Sequence, residues 1–413
     1  MKPSLIYFLD KFPCYSETFV LDQIIGLIQR GFDVKIVALS QDPRPLPVET
    51  DQLYQLSQRC VYLLPPAATG TAGKLVQRLK LIGQGLHKKA VWRVLAGNLG
   101  GAAPRSFLTS ILATNAQQYR ADMLICHFGT TATLAMHLQQ AGVLAGKILP
   151  VFHGFDLSEQ QVLAKYQQDY LQLFKHCPAV FAISRLWCAR LAELGCPTGK
   201  INLLRTGVAL QNFAFSEPQS TLQLPVKLLS VARLTEKKGL QYAIDAVALL
   251  KQRGIAIQYH IIGDGPLRPS LEAQIKALGL SAQVQLCGVQ PAARVVAALK
   301  NSDVFVLPSV TAANGDMEGI PVSLMEAMAS GVLCLSTYHS GIPELICHAE
   351  SGFLVPERNA VALAQQLQSV IEGHYALAEI RLNAREKIVS EFNQQQIYDQ
   401  LAAFLQDEHN GVH

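Results

Sequence analysis

The sequence predicts an α/β protein made of two doubly wound, Rossmann-like domains that face each other across a cleft. Three observations carry that expectation. Short apolar runs of strand length alternate with stretches of helical periodicity along most of the chain, the pattern of parallel strands joined by helical crossovers. The alternation lapses from Ala209 to Pro225, where Asn212, Ser216, Pro218 and Pro225 stand, and then restarts. The length, 413 residues, exceeds what one hydrophobic core ordinarily organises. Two such sheets should hold a ligand where the carboxyl ends of their strands meet.

The first run, Ser4 to Leu9, is stopped by Asp10 and Lys11; it is too short for a signal-peptide core and reads as a first strand. Ser16 can cap a helix running to about Arg30, with Val20, Ile24, Leu27 and Ile28 on one face and Gly31 as its stop. Val34 to Leu39 is the next strand, and the proline-rich QDPRPLP is a surface connection. Further strands are expected at Met123–Cys126, Ile148–Phe152, Val180–Ile183 and Ile201–Leu204. Beyond the linker they fall at Lys227–Val231, Ile257–Ile262, Val284–Leu286, Val304–Leu307 and Val332–Leu335. From Arg381 to Gln406 the chain is helical. The expected division is therefore 1–212, 213–380 and a helical tail, 381–413.

Half of the residues are apolar and 16% charged, as in a soluble globular enzyme. Nine cysteines show no Cys-x-x-Cys pair, which argues for reduced thiols in the cytoplasm. No stretch approaches the ~20 apolar residues of a membrane span. The net charge of +4 is uneven: residues 1–212 hold 21 Lys/Arg against 12 Asp/Glu, the remainder 14 against 19. Between Gln52 and Ala121 there are nine bases and no acid. Within that stretch KLVQRLKLIGQGLHKKAVWRVL mixes bases with Leu, Val, Ile and Trp at helical spacing. The segment 74–105 could lie on an anionic membrane surface, or form a solvated helix over the core. Few aromatics among the bases and no recognition motif argue against nucleic acid.

The stretch with most chemistry is Asn314 to Gly331, NGDMEGIPVSLMEAMASG. It follows a short apolar strand and a Pro308-Ser309 break, and it reads as a loop and then a helix whose first turn can hold Pro321. The helix start aims unpaired amides and the positive dipole end at the cleft. Glu318 lies just before it and Glu326 within it. Two carboxylates around a helix N-terminus suit a ligand with an anionic middle and hydroxyl-bearing ends. A nucleotide sugar is such a ligand. Spacing alone is weak, because acids are favoured in a first helical turn whatever the function.

The full string EGIPVSLMEAMASG resembles the E-x7-E signature of family 4 retaining glycosyltransferases. The resemblance implies the GT-B fold, with Glu318 on the donor sugar, Glu326 on the nucleotide ribose, and Gly319, Ile320, Pro321 and Val322 as donor-side backbone. SVARLTEKKGL resembles the family's phosphate-binding turn and makes Arg233 and Lys238 the cations for the diphosphate. Gly263-Asp264-Gly265-Pro266 resembles a further turn, with Gly263 by the nucleotide; Arg268 stands where a dinucleotide fingerprint needs glycine. His153-Gly154-Phe155-Asp156 looks like the His-Gly-x-Asp motif, which places His153 at the reacting bond. Asp156 and His127, in CHFG, are acceptor-side or loop candidates. The first loop, KFPCYSETF, departs from the common pattern, which has a glycine pair there. Its Ser16, Glu17 and Thr18 resemble a branch active in bacterial exopolysaccharide and colanic acid assembly, and they can touch an acceptor or cap the helix.

The expected activity is retaining transfer of a sugar, from a donor of UDP type, to a glycan or lipid-linked acceptor. The resemblance implies no essential metal and no cofactor beyond the donor. The expected place is the cytoplasm, peripheral at the inner membrane face. An epimerase or phosphorylase of the same fold, or a glycan-binding scaffold without catalysis, remains as the alternative.

Overall fold

In the computed structural model, residues 2–13, 18–44, 46–66, 71–96, 101–102, 105–114, 117–215 and 220–411 are described. The first half forms a parallel sheet of β1 (Ser4–Phe12), β2 (Asp33–Gln41), β3 (Cys60–Tyr62), β4 (Tyr119–His127), β5 (Leu144–Phe152), β6 (Val180–Ala182) and β7 (Ile201–Leu203). Its spatial order is β3-β2-β1-β4-β5-β6-β7. The second half forms β8 (Val226–Val231), β9 (Ile257–Ile262), β10 (Val284–Gly288), β11 (Val304–Leu307), β12 (Leu333–Thr337) and β13 (Phe353–Val355), ordered β10-β9-β8-β11-β12-β13. Both are doubly wound sheets whose strand order reverses beside the first strand. The edge strands β3 and β13 add to those expected.

The core strands read as continuous apolar runs because helices cover both faces. Leu5, Ile6, Tyr7 and Phe8 of β1 are all buried, as are Val304 to Leu307 of β11. The first helix, Thr18–Gln29, buries Val20, Ile24 and Leu27, and Gly31 follows with φ +77°. Pro321 is the N-cap of helix Val322–Ala329, with φ −62° and ψ 121°, rather than a first-turn residue. Its extended ψ keeps it outside the helix, while its carbonyl accepts from Leu324 N–H.

Helix Leu377–Glu391, which straddles the expected boundary at 381, packs Leu377, Ile380, Ala384 and Ile388 into the second core. The chain then crosses over. Helix Gln394–Asn410 packs Ile397, Tyr398, Leu401 and Leu405 into the first core. Tyr398 lies against Gly26, where a Cβ would come within 2.2 Å of its ring. Arg30 ties the crossing from outside, 2.7 Å from Asp399 and over the Tyr398 ring at 5.7 Å. Tyr398→Ala therefore opens a cavity in the first domain's core and is expected to lower stability by about 3 kcal/mol. The check is the urea midpoint; an unchanged midpoint would mean that this helix does not belong to that core.

Candidate active site

The residues expected at the site leave the two sheets at or beside the points where strand order reverses. Thr18 follows β1, His127 ends β4 and His153 follows β5. Arg233 and Lys238 follow β8, Gly263 follows β9, and Glu318 to Val322 follow β11. Loops leaving neighbouring strands there run apart and open a crevice. Ser16 and Glu17 lie outside the described residues; Thr18 begins the first helix and is exposed.

Glu318 is 6% exposed, and its Oε1 lies 2.9 Å from Lys238 Nζ. Beside it Lys237 reaches Asp316 at 3.0 Å. Burial pushes the Glu318 carboxyl up, but the charges of Lys238 and Lys237 outweigh it and hold the group below the usual carboxylate range. The Glu318 peptide is held on both sides. Its N–H donates to His339 Nε2 at 3.0 Å, and its carbonyl accepts from Ser340 Oγ at 2.6 Å. Because Nε2 accepts, the His339 proton sits on Nδ1, 2.6 Å from Glu357. Glu357 also accepts from Thr311 N–H at 2.9 Å. His339, Ser340 and Glu357 were not singled out in the sequence. For His339 and Ser340 the signal is a polar His-Ser-Gly just beyond the buried β12; Glu357 carries none.

Two glycines stack the loops that carry the cations. Gly239 has φ +62°, and a Cβ there would fall 1.9 Å from Pro308 O. Gly263 has φ +134°, and a Cβ would fall 1.9 Å from Ala232 O. Leu234 N–H donates to Asp264 O, and Leu267 N–H returns to Leu234 O, both at 3.0 Å. The Gly-Asp-Gly-Pro turn thus braces the Arg233 turn from behind, leaving the Arg233 side chain exposed.

In the first domain the His153 ring lies 4.8 Å from Phe19 and 4.7 Å from Phe128. Its Nε2 is 2.8 Å from His127 Nδ1. Burial holds both imidazoles neutral: His127 is pushed down to about 3, and His153, which also faces His127, well below its ordinary value. Phe128 takes φ +70°, a strained backbone for a bulky residue of the kind that gathers at functional sites. Asp156 does not face a ligand. Its fully buried carboxyl accepts from Gly129 N–H at 2.9 Å, Gly154 N–H at 2.9 Å and His153 N–H at 3.1 Å. Burial pushes that carboxyl up while the three amides pull it back. It braces the His153 turn, and its acceptor-side reading is corrected to that.

The domains meet on backbone. A Cβ on Gly154 would lie 3.3 Å from Glu318 O, and one on Gly319 would lie 2.7 Å from His153 O. Met317 N–H donates to Ser158 Oγ, and Gln160 N–H to Asn314 O, both at 3.0 Å. Farther out, Glu344 accepts from Arg185 N–H, Leu186 N–H and Arg205 Nη1, each at 3.0 Å. The crevice around Phe19, Gln23, His127, His153 and Arg205 is about 10 Å³, too small for a sugar ring. Glu326 looks across at the first helix: burial, then the Asp22 carboxylate, push it up to about 7.

Comparison with known proteins gives a consistent picture. The profile for Glycosyltransferase Family 4 matches residues 16–212, and that for Glycosyl transferases group 1 matches 216–387. The chain is 44% identical to WcaL of Escherichia coli K12, a glycosyltransferase named for colanic acid biosynthesis, over 97% of this chain and 98% of that one. It is 41% identical to the amylovoran biosynthesis glycosyltransferase AmsK of Erwinia amylovora, over 97% and 99%. Among solved structures it resembles Anabaena HepE in complex with UDP and glucose, with TM-score 0.69 and 18% identity over 97% of this chain and 99% of that one. It also resembles sucrose-phosphate synthase from Thermosynechococcus elongatus, with TM-score 0.72 and 17% identity over 99% and 100%. Both likenesses bear on the fold, which is GT-B.

The Glu318–Lys238 pair makes stability depend on pH. The Glu318 value is depressed in the folded state, so its contribution is present above the unfolded carboxylate value and lost as pH falls through the folded one. Lys238→Met leaves burial unopposed by its nearest cation. The variant is expected to be less stable than wild type by about 2 kcal/mol at neutral pH, with the gap closing toward pH 3. Urea midpoints across that range check it; a gap that does not change with pH would remove the ion pair as its cause.

Proposed function

Since the chain belongs to the family 4 and group 1 glycosyltransferases, we propose that it moves a sugar, with retention, from a UDP-linked donor to a growing glycan of a bacterial exopolysaccharide. One observation carries this reading: the lysine-paired, ionised Glu318 of one domain is brought against the His153 turn of the other. Arg233, Lys238 and the amides opening helix Val322–Ala329 are placed to receive a diphosphate. Glu318 accepts hydrogen bonds from sugar hydroxyls, with Gly319 and Ile320 as backbone alongside, and Glu326 accepts from the ribose. His153 stands at the reacting carbon. The names of WcaL and AmsK support the exopolysaccharide role, and UDP in HepE supports the donor base.

In this reading the bond between the sugar's anomeric carbon and the β-phosphate oxygen breaks as the acceptor oxygen bonds that carbon from the same face. The acceptor's proton goes to the departing phosphate oxygen. The protein supplies position and charge, without a covalent intermediate. Lys238 turns from Glu318 toward the phosphate as negative charge develops there. Asp316 and Glu318 each face a lysine, which supports the reading that transfer needs no divalent ion.

For the acceptor, the first domain offers a cavity of about 490 Å³ at the carboxyl ends of β1 and β2. Asp10, Ser40, Thr130 and Tyr166 line one side and Leu81 and Phe107 another, with Lys74 and Arg78 at the basic helix Thr71–Gly85. Hydroxyl-binding groups beside apolar and cationic ones suit a glycan carried on an anionic lipid. The same helix turns Leu75, Val76 and Leu79 outward, 60–65% exposed, among Lys74, Arg78 and Lys80. We place this face on the membrane's inner surface. No helix among the described residues is long and apolar enough to cross a membrane.

Arg233→Ala and Lys238→Ala are each expected to cut turnover by about 100-fold or more in folded protein. Wild type should release free nucleotide and form a product with the donor's anomeric configuration by NMR, and EDTA should leave its rate unchanged. Isomerised donor in place of a longer glycan would favour an epimerase instead, and wild-type turnover in the double variant would remove the cation assignment. In a second test, the protein should pellet with anionic vesicles, and less so as salt rises. Equal pelleting with neutral vesicles would argue against the basic face.

A further inference from the structure

A buried polar chain runs behind His153 from the first helix. Tyr7 OH donates to Gln23 Oε1 at 2.8 Å, and the same oxygen lies 3.0 Å from His127 Nε2. His127 Nδ1 then meets His153 Nε2 at 2.8 Å. Tyr7 and Gln23 are 0% and 6% exposed, and His127 is 2% exposed. The Tyr7 ring also stacks on His127, 6.0 Å between centroids and 18° between planes.

Each link constrains the next. A carbonyl oxygen only accepts, so His127 Nε2 must carry a proton to meet Gln23. A neutral imidazole has one such proton, so His127 Nδ1 is an acceptor. His153 must then donate from Nε2, which leaves its Nδ1 bare. Burial keeps the Tyr7 phenol far above its ordinary value, so it stays a donor, and burial keeps both imidazoles neutral. Phe19 and Phe128 both pack against the His153 ring, so the ring cannot turn over without breaking that packing. Gln23 is the polar member of a helix face otherwise made of Val20, Ile24, Gly26 and Leu27, and packing alone gives no reason for an amide there.

We propose that Gln23 and His127 are positioning residues for transfer, setting the tautomer of His153 with its proton on Nε2 and Nδ1 left as the acceptor for a hydroxyl of the bound sugar. This rests on the transferase reading above for its consequence, though not for its geometry. It makes the first helix part of the catalytic machinery at a residue that touches no substrate. It also explains why a second histidine, His127, stands at the end of β4, where an apolar residue would pack as well.

The experiment uses full-length protein with 15N-labelled histidine, and it reads the two ring nitrogens of His153 by long-range proton–nitrogen correlation. In wild type Nε2 should be protonated and Nδ1 bare; the reverse would overturn the proposal. Gln23→Leu should give mixed tautomers and lower kcat by about tenfold, the size of one lost hydrogen bond, with KM for the donor within about twofold. Gln23→Glu keeps an acceptor oxygen and should restore both the tautomer and most of kcat. Wild-type kcat in Gln23→Leu with mixed tautomers would overturn the positioning role. The wild-type spectrum decides the direction of the chain even where Gln23→Leu fails to fold. Wild type that transfers no sugar yet shows bare Nδ1 would count against the transferase reading and support the relay.

Discussion

The close approach of two backbones, His153-Gly154 from one domain and Glu318-Gly319 from the other, is the constraint on which the site depends. A Cβ would fall 3.3 Å from the facing carbonyl at Gly154 and 2.7 Å from it at Gly319. A side chain at Gly319 forces a shift that would separate His153 from Glu318, and one at Gly154 needs a smaller adjustment. Asp156 holds one side of the contact by collecting three amides. His339 and Ser340 hold the other by gripping the Glu318 peptide at both ends. The acid and the imidazole are therefore set by backbone, with little left to side-chain freedom.

Around that contact the charges are balanced before any ligand arrives. Lys238 faces Glu318, Lys237 faces Asp316, and burial keeps His127 and His153 neutral. A buried acid paired in this way remains ionised, whereas the same acid alone would take up a proton. In the proposed reading an incoming diphosphate would compete with these acids for the lysines. Arg233 is exposed on its turn, with no acid paired to it among the described residues. The neutral imidazoles contribute direction rather than charge, which is why the placement of a single proton along the Tyr7–Gln23–His127–His153 chain matters.

The domains are also joined away from the site. Glu344, from the second domain, accepts the first amides of helix Arg185–Glu193 in the first, where the helix dipole favours an anion. Arg205, in the connection, bridges Glu344 and Glu391. Helix Gln394–Asn410 completes the first core from the far end of the chain. Because the first domain's core includes the last helix, the two halves of the sequence are not independent folding units. The contact of the glycines is supported by Arg205 and the crossing helix as well as by the loops.

The alternation of apolar runs was enough to place eleven of the strands, because a strand covered on both faces is a continuous apolar run whatever surrounds it. It did not place Cys60–Tyr62 or Phe353–Val355, which pair with β2 and β12 at the sheets' edges. The motif strings marked Glu318, Glu326, Arg233, Lys238 and His153 through their resemblance to the family's signatures, which local spacing alone would not have singled out. They misplaced Pro321 by one position, because a proline's φ suits an N-cap and a first turn alike and only ψ separates them. What a sequence motif cannot carry is partnership between distant residues. That Asp156 braces a turn, that His339 grips Glu318, that Gln23 orients a histidine 104 positions away, and that residue 398 packs on residue 26 were decided by tertiary structure alone. Hydrogen bonds and packing act through space, and strand order, not chain order, sets which groups come within reach.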